Sequence, residues 1–112
     1  MEITRDRQGD VEVLRVCGAI LADANEEFTA VLRRLRAEGC FRLVIDARDL
    51  DYVNSRGIGD LVSFSRDAHM NGGRLVMVRP GPSLMKTLRT VGLSSIVPSY
   101  DTIEQAVEAC AA

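Results

Sequence analysis

Residues 49–65, DLDYVNSRGIGDLVSFS, decide how this chain folds, because a polar cluster lies there between two apolar runs. Upstream stands RLVIDA (42–47), a run rich in the β-branched residues that favour strands. Downstream, apolar side chains recur at helical spacing, at Ile58, Leu61, Val62 and Ala68. The stretch therefore predicts a strand, a polar loop and the start of a helix.

Two glycines in the first turns of this helix require an explanation. Gly57 and Gly59 each cost about 1 kcal/mol of helix propensity relative to Ala. One explanation is close packing of the helix against a strand. The other is that bare backbone lets a partner approach Ser55, whose hydroxyl lies where a helix N-cap or a regulatory switch would lie.

The N-terminal part of the chain predicts a hairpin followed by a helix. MEITRDRQGDVEVLRVCG (1–18) reads as two extended segments around a turn near Gln8-Gly9. The helix after it is predicted to begin at a cap on Asp23 or Asn25 and to end at Gly39.

The C-terminal part continues the alternation of strands and helices. RLVMV (74–78) predicts a strand, PSLMKTLRTVG (82–92) a helix ended by Gly92, and SIVPSY (95–100) a short edge strand. The last helix is predicted to begin at Asp101 or Thr102.

The predicted order is thus ββαβαβαβα in a single α/β domain over residues 1–112. Its sheet is mixed but mostly parallel, with an N-terminal antiparallel hairpin and about four helices. We expect a buried core that includes Ile45, Leu61, Val62, Leu75, Val76 and Leu88.

Composition favours a soluble globular protein. Apolar residues make up 46% of the chain and charged residues 27%, and no apolar run approaches the ~20 residues of a membrane span. The N-terminus lacks the apolar segment of a secretion signal, so a cytoplasmic location is expected. The net charge of −2 argues against nucleic-acid binding, and the basic cluster of Arg33, Arg34 and Arg36 is predicted to be a solvated helix face.

Few residues could carry catalysis or hold a metal. The single histidine, His69, is expected to be structural or solvated, and Cys17, Cys40 and Cys110 are expected to be reduced and buried. Asp46, Asp49 and Asp51 follow the central strand, where α/β sheets place ligands, although turn and cap roles suit them better.

The glycines of RGIGD (56–60) form neither a dinucleotide-binding nor a phosphate-binding motif, because the third Gly and the Lys are missing. The sequence therefore predicts no enzyme, no cofactor and no metal site.

LVIDARDLDYVNSRGIGDLV (43–62) resembles the signature of STAS domains, the sulfate-transporter and anti-sigma-factor-antagonist family. That signature is an apolar strand ending in Asp, an aromatic or apolar pair, then Asp-Ser-Ser/Thr-Gly and an apolar helix. The C-terminal half of the chain is also similar to the family. Matching positions here are Asp46, Tyr52, Val53, Ser55, Gly57, Ile58 and Gly59.

The resemblance implies an anti-sigma factor antagonist that acts as a phosphorylation-controlled binding switch. It implies that Ser55 is phosphorylated by an anti-sigma factor with serine-kinase activity, and that the unmodified form binds this partner and frees a sigma factor. A serine phosphatase is a second candidate partner, whereas nucleic acid and membranes are not expected. The implied partner-binding surface consists of Asn54, Ser55, Arg56, Gly57 and Gly59.

Two positions depart from the family pattern. Asn54 replaces the usual Asp, and as an amide it can still cap the helix. Arg56 replaces a small Ser or Thr, and it could pair with a phosphate on Ser55 or with an acidic partner. Ser55 itself could be a plain N-cap. The alternative function is that of a non-phosphorylated STAS subunit in a transport complex or a stress-signalling scaffold, and an enzyme is a distant third.

Overall fold

A mixed sheet carries the fold in the computed structural model, which describes residues 1–111. These residues form six strands and four α-helices. The strands are β1 (Glu2–Gln8), β2 (Val11–Ile20), β3 (Arg42–Asp46), β4 (Leu50–Val53), β5 (Arg74–Val78) and β6 (Ser99–Tyr100), and the helices are α1 (Ala24–Ala37), α2 (Ser55–Met70), α3 (Pro82–Thr90) and α4 (Ile103–Ala111).

The strand order is β1-β2-β3-β5-β6, and β4 pairs with the end of β2 beyond β3. Strands β1 and β2 are antiparallel, whereas the other pairings are parallel. The predicted hairpin and the mostly parallel sheet are therefore confirmed.

Strand β4 is absent from the predicted order ββαβαβαβα, which is wrong at this point. Leu50 and Val53 are buried while Asp51 and Tyr52 between them are exposed, so the four residues lack the alternation that signals a strand. The strand exists because β2 is long enough to pair with β3 and then, after an irregularity at Gly18, with β4.

Helices cover both faces of the sheet. Leu32 of α1, Leu61 of α2 and Leu88 of α3 belong to the larger core cluster on one face. Ala106 and Cys110 of α4 pack with strand valines on the other face. Five of the residues predicted to be buried are confirmed, namely Ile45, Leu61, Leu75, Val76 and Leu88.

Val62 was expected in the core, but 38% of its surface is exposed. Helical periodicity gives the direction of the apolar side of α2 but not its width. Val62 lies just outside the strip of α2 that packs on the sheet. The cysteine prediction also needs correction, because Cys17 is only partly buried although Cys40 and Cys110 are buried.

The predicted helix ends are confirmed at Gly39 and Gly92, which adopt left-handed φ values of 72° and 78°. At the start of α4, Thr102 is the cap, because its Oγ1 accepts a hydrogen bond from the Gln105 N–H at 3.1 Å. The predicted strand at 95–100 is shortened to β6, and a 3₁₀ turn (Leu93–Ser95) precedes it.

Candidate functional site

The start of α2 is held at the end of β4 by Asn54. The Asn54 N–H donates to the Ile20 carbonyl at 3.0 Å, and its side-chain Oδ1 accepts from the Gly57 N–H at 3.0 Å. Asn54 is therefore the N-cap, as its amide allows. Ser55 is the first helical residue, so the interpretation of Ser55 as the N-cap is wrong.

A reciprocal pair of side-chain amides ties Asn54 to α1. Asn25 Nδ2 donates to Asn54 Oδ1 at 2.9 Å, and Asn54 Nδ2 donates to Asn25 Oδ1 at 2.8 Å. Asn25 is only 4% exposed. The sequence suggested Asn25 as a cap for α1, but the N-cap position belongs to Asp23, whose side chain makes no capping hydrogen bond. The sequence contains no local signal for this pair, because it joins residues 29 positions apart.

Ser55 lies on the solvent side of this anchored turn, and its residue is exposed. The neighbouring Arg56 is directed towards α1, where its Nη2 lies 3.4 Å from Thr29 Oγ1 and its Nη1 lies 4.0 Å from a Glu26 carboxylate oxygen. Both contacts are long, and 51% of the Arg56 side chain is exposed. The guanidinium is thus loosely held one residue from the Ser55 hydroxyl.

The two glycines of this turn have different surroundings. A Cβ on Gly57 would lie 2.5 Å from Val53 Cγ1 and 3.1 Å from Ile20 Cγ2, so this glycine allows α2 to pack closely on β4 and β2. A Cβ on Gly59 would meet nothing within 4 Å. Close packing therefore accounts for Gly57, whereas Gly59 leaves bare backbone on the open surface.

A shallow groove of about 430 Å³ begins at Ser55 and runs between α2 and α3. Tyr52 and Val91 on its walls are 52% and 51% exposed. The Ser55 hydroxyl therefore borders apolar surface. The residues that line this proximal groove are Tyr52, Val53, Ser55, Ile58, Gly59, Thr87 and Val91.

The carboxylates after β3 are neutralised by arginines. Asp46 is 2% exposed, and its oxygens accept from Arg48 Nε at 2.9 Å and Nη2 at 2.7 Å. Burial would raise the pKa of the Asp46 carboxyl, but the hydrogen bonds from Arg48 and the positive charges of Arg48 and Arg15 together outweigh it and hold that pKa below its ordinary value. Asp49 pairs with Arg15 at 2.6 Å. These ion pairs suit a structural role at the end of the sheet.

The other residues considered for chemistry lie elsewhere. Exposed His69 is in the last turn of α2, about 21 Å along the helix from Ser55 at ~1.5 Å per residue. Arg33 and Arg34 are exposed as predicted, but Arg36 bonds to Asp67 at 2.8 Å and to Ser63 at 3.1 Å, so it joins α1 to α2. Within residues 1–111, no three His, Cys, Asp or Glu side chains are grouped as a metal site would need.

No helix in the described part of the chain combines the length and apolar character needed to cross a bilayer.

Comparisons with known proteins agree with this architecture. A Thermotoga maritima protein, named provisionally as an anti-sigma factor antagonist, is 27% identical over 71 residues, and the match spans 63% of each chain. The crystal structure of an anti-sigma factor antagonist from Mycobacterium paratuberculosis superposes with a TM-score of 0.87 at 21% identity, over 99% of this chain and 94% of that one.

The Bacillus cell fate determinant SpoIIAA, in its phosphorylated form, superposes with a TM-score of 0.76 at 20% identity, over 96% of this chain and 98% of that one. Likenesses at this identity show the fold. A family model described as the STAS domain matches residues 2–106. Since that match covers nearly the whole chain, the protein belongs to the STAS domain family.

Proposed function

We propose that this protein is an anti-sigma factor antagonist, formed by a single STAS domain over residues 1–112. It binds an anti-sigma factor with serine-kinase activity in the cytoplasm and thereby frees a sigma factor, without catalytic turnover and without a cofactor. The observation that carries this proposal is the exposed Ser55 at the first position of α2, beside the proximal groove.

The start of α2 suits a phosphorylated serine. Ser55 and Arg56 are the first two residues of α2, so their N–H groups have no acceptor within the helix, whereas Asn54 caps the Gly57 N–H. A phosphate adds a charge of about −1.5 to −2, which free N–H groups and the helix dipole stabilise. The next residue, Arg56, is loosely held, so its guanidinium could also pair with the phosphate. Modification at Ser55 is thus compatible with an intact fold.

The similarity to SpoIIAA supports this compatibility. The structure of that protein is known both in a phosphorylated and in an unphosphorylated form, and they superpose on this chain with TM-scores of 0.76 and 0.75. A phosphate is therefore accommodated within this fold in a protein with the same architecture.

The proposed partner-binding surface consists of Asn54, Ser55, Arg56, Gly57 and Gly59, together with the apolar walls of the proximal groove. Gly57 contributes from beneath by setting the position of the turn, whereas Gly59 allows close approach from outside. An unmodified Ser55 is small and neutral in such an interface. On binding, a phosphate there would lose its hydration, and Arg56 would offset only part of that cost, so phosphorylation releases the partner.

The test begins with the partner captured from cell lysate on the immobilised protein and identified by mass spectrometry. We expect Ser55→Asp to weaken binding of this partner at least about tenfold, or roughly 1.4 kcal/mol. Ser55→Ala should bind like the wild type and remain unlabelled when incubated with the partner and ATP. A matched control is Ser83→Asp, which places the same charge on an exposed serine in the first turn of α3.

Label on Ser63, Ser65 or Thr90, with Ser55 unmodified, would contradict the proposed switch. A stable complex that is neither labelled nor weakened by Ser55→Asp would instead support a non-phosphorylated STAS subunit of a transport complex or a signalling scaffold. Turnover of a small-molecule substrate by the purified protein would revive the enzyme hypothesis.

A further inference from the structure

The outer face of α2 continues from the proposed phosphorylation site to the other end of the helix. Ser55, Gly59, Val62, Arg66 and Met70 follow one another at i, i+4, i+7, i+11 and i+15, and therefore share one face. This face extends about 22 Å from first to last residue at ~1.5 Å per residue.

The two other sides of α2 are occupied. Leu61, Phe64 and Ala68 are buried in the core. On the side of α1, Thr29 donates a hydrogen bond to Asp60 at 2.6 Å, and Arg36 holds Asp67. The outer face is thus the side of α2 that remains available to a partner.

A second groove, which we call the distal groove, opens between the later turns of α2 and the segment that follows α3. Its volume is about 530 Å³, within the range of ligand and peptide sites. Met70 and Ile96 on its walls are 75% and 59% exposed. The distal groove is lined by Val62, Ser65, Arg66, His69, Met70, Arg74, Leu75, Ser95, Ile96 and Pro98.

Exposed apolar side chains concentrate along this side of the molecule. Six large apolar side chains are exposed in the described chain, and Leu21 is the one that lines neither groove. The other five are Tyr52, Val62, Met70, Val91 and Ile96. Apolar side chains grouped in this way mark an interaction surface more often than scattered ones do.

The charges of the distal groove are of one sign. Arg66 and Arg74 line it, and no acidic residue of the described chain does. Neither arginine forms an ion pair within residues 1–111. Because the whole chain has a net charge of −2, these cations are a local feature that selects an acidic occupant.

We propose that the distal groove binds an acidic amphipathic helix of the same partner, an inference that rests on the proposed function. Val62 and Met70 stand eight residues apart, or about 12 Å, a distance that suits apolar anchors two turns apart on a bound helix. Acidic residues beside those anchors would pair with Arg66 and Arg74. The partner then contacts α2 at two places, one at Ser55 and one that runs from Val62, about 10 Å along the helix from Ser55, to Met70, about 22 Å away.

The distant contact changes how the switch behaves. A phosphate at Ser55 removes the proximal contact but leaves the distal groove unaltered, so the modified protein keeps residual affinity for its partner. Contributions of sites this far apart are expected to be independent. Phosphorylation would thus shift the affinity by a fixed factor.

The experiment measures binding of the captured partner to Arg66→Glu and Ile96→Glu. Each should weaken binding at least about tenfold, and Arg66→Glu should also reduce the dependence of affinity on salt concentration. Arg33→Glu, an exposed arginine on α1, is the matched control and should bind like the wild type. Combined with Ser55→Asp, Arg66→Glu should lower the affinity by the product of the two separate factors.

The outcomes separate this inference from the proposed function. If Arg66→Glu and Ile96→Glu bind normally while Ser55→Asp does not, the distal groove is not an interface, and the switch at Ser55 stands. If no partner is captured, both proposals are overturned. If wild-type protein cosediments with phosphatidylglycerol vesicles and Arg66→Glu does not, the groove binds membrane and the helix proposal is overturned.

Discussion

At the scale of single residues, the amide at position 54 has two tasks that a carboxylate cannot combine. Its Oδ1 accepts from Gly57 N and from Asn25 Nδ2, while its Nδ2 donates to Asn25 Oδ1. A carboxylate would keep the acceptor contacts, but its second oxygen would face the oxygen of Asn25. Asn54, which departs from the family pattern, therefore fits here because Asn25 needs an amide as its partner.

Asn54→Asp should consequently destabilise the protein, although it restores the residue typical of the family. Leaving the buried Asn25 oxygen without its donor costs about 1–3 kcal/mol. The measurement is the free energy of unfolding from urea denaturation at pH 7. Asp51→Asn, a nearby exposed position, is the control and should change stability by less than about 0.5 kcal/mol. A variant as stable as the wild type would show that the amide pair contributes nothing.

At the scale of elements, the start of α2 combines a tight contact and an open surface within one turn. Gly57→Ala should destabilise the protein by about 1–3 kcal/mol, because the added methyl group overlaps the Val53 and Ile20 side chains. Gly59→Ala meets no atom, so it should stabilise the helix by up to about 1 kcal/mol. Thermal unfolding followed by circular dichroism measures both variants. Equal effects of the two substitutions would contradict this difference between them.

The sequence was informative where a signal is local. The end of α1 at Gly39 and the capping capacity of Asn54 follow from backbone and side-chain chemistry within a few residues, and both could be predicted. Strand β4 could not be predicted, because it forms by pairing with the far end of the long strand β2, and its own four residues show no strand pattern. The hydrogen bonds between Asn25 and Asn54 could not be predicted either, because strand β4 places Asn54 next to α1. The sequence therefore predicted the residues of the site, but it did not predict the amide pair that holds them in place.

At the scale of the whole molecule, ion pairs join the hairpin to its surroundings. Glu12 is 2% exposed and accepts from Arg5 at 2.8 Å and from Arg7 at 3.3 Å. Arg5 also bonds to Glu38 at 2.9 Å, which connects β1 to the end of α1. The hydrogen bond from Arg5 lowers the pKa of the Glu38 carboxyl. Protonation of Glu38 in acid should therefore weaken the contact between β1 and the end of α1.

The acid sensitivity of stability can be assigned in part to Asp46. Its carboxyl pKa is lowered in the folded protein, because the hydrogen bonds from Arg48 and the charges of Arg48 and Arg15 together outweigh the opposing effect of burial. A lowered folded-state pKa means that the unfolded chain binds the proton more readily. The stabilisation from Asp46 is thus complete above the unfolded pKa of about 3.9 and is lost as the pH falls through the folded value.

Asp46→Asn tests this assignment, because its side chain resembles the protonated carboxyl and cannot be charged at any pH. The variant should be less stable than the wild type at pH 7, and the difference should narrow as the pH approaches 3. Urea denaturation at a series of pH values measures both proteins. Glu108→Gln, an exposed carboxylate of α4 outside the ion pairs of the described chain, is the control and should leave the pH dependence unchanged. If the stability difference between Asp46→Asn and the wild type stays constant from pH 7 to pH 3, the Arg48 contact does not contribute to the acid sensitivity.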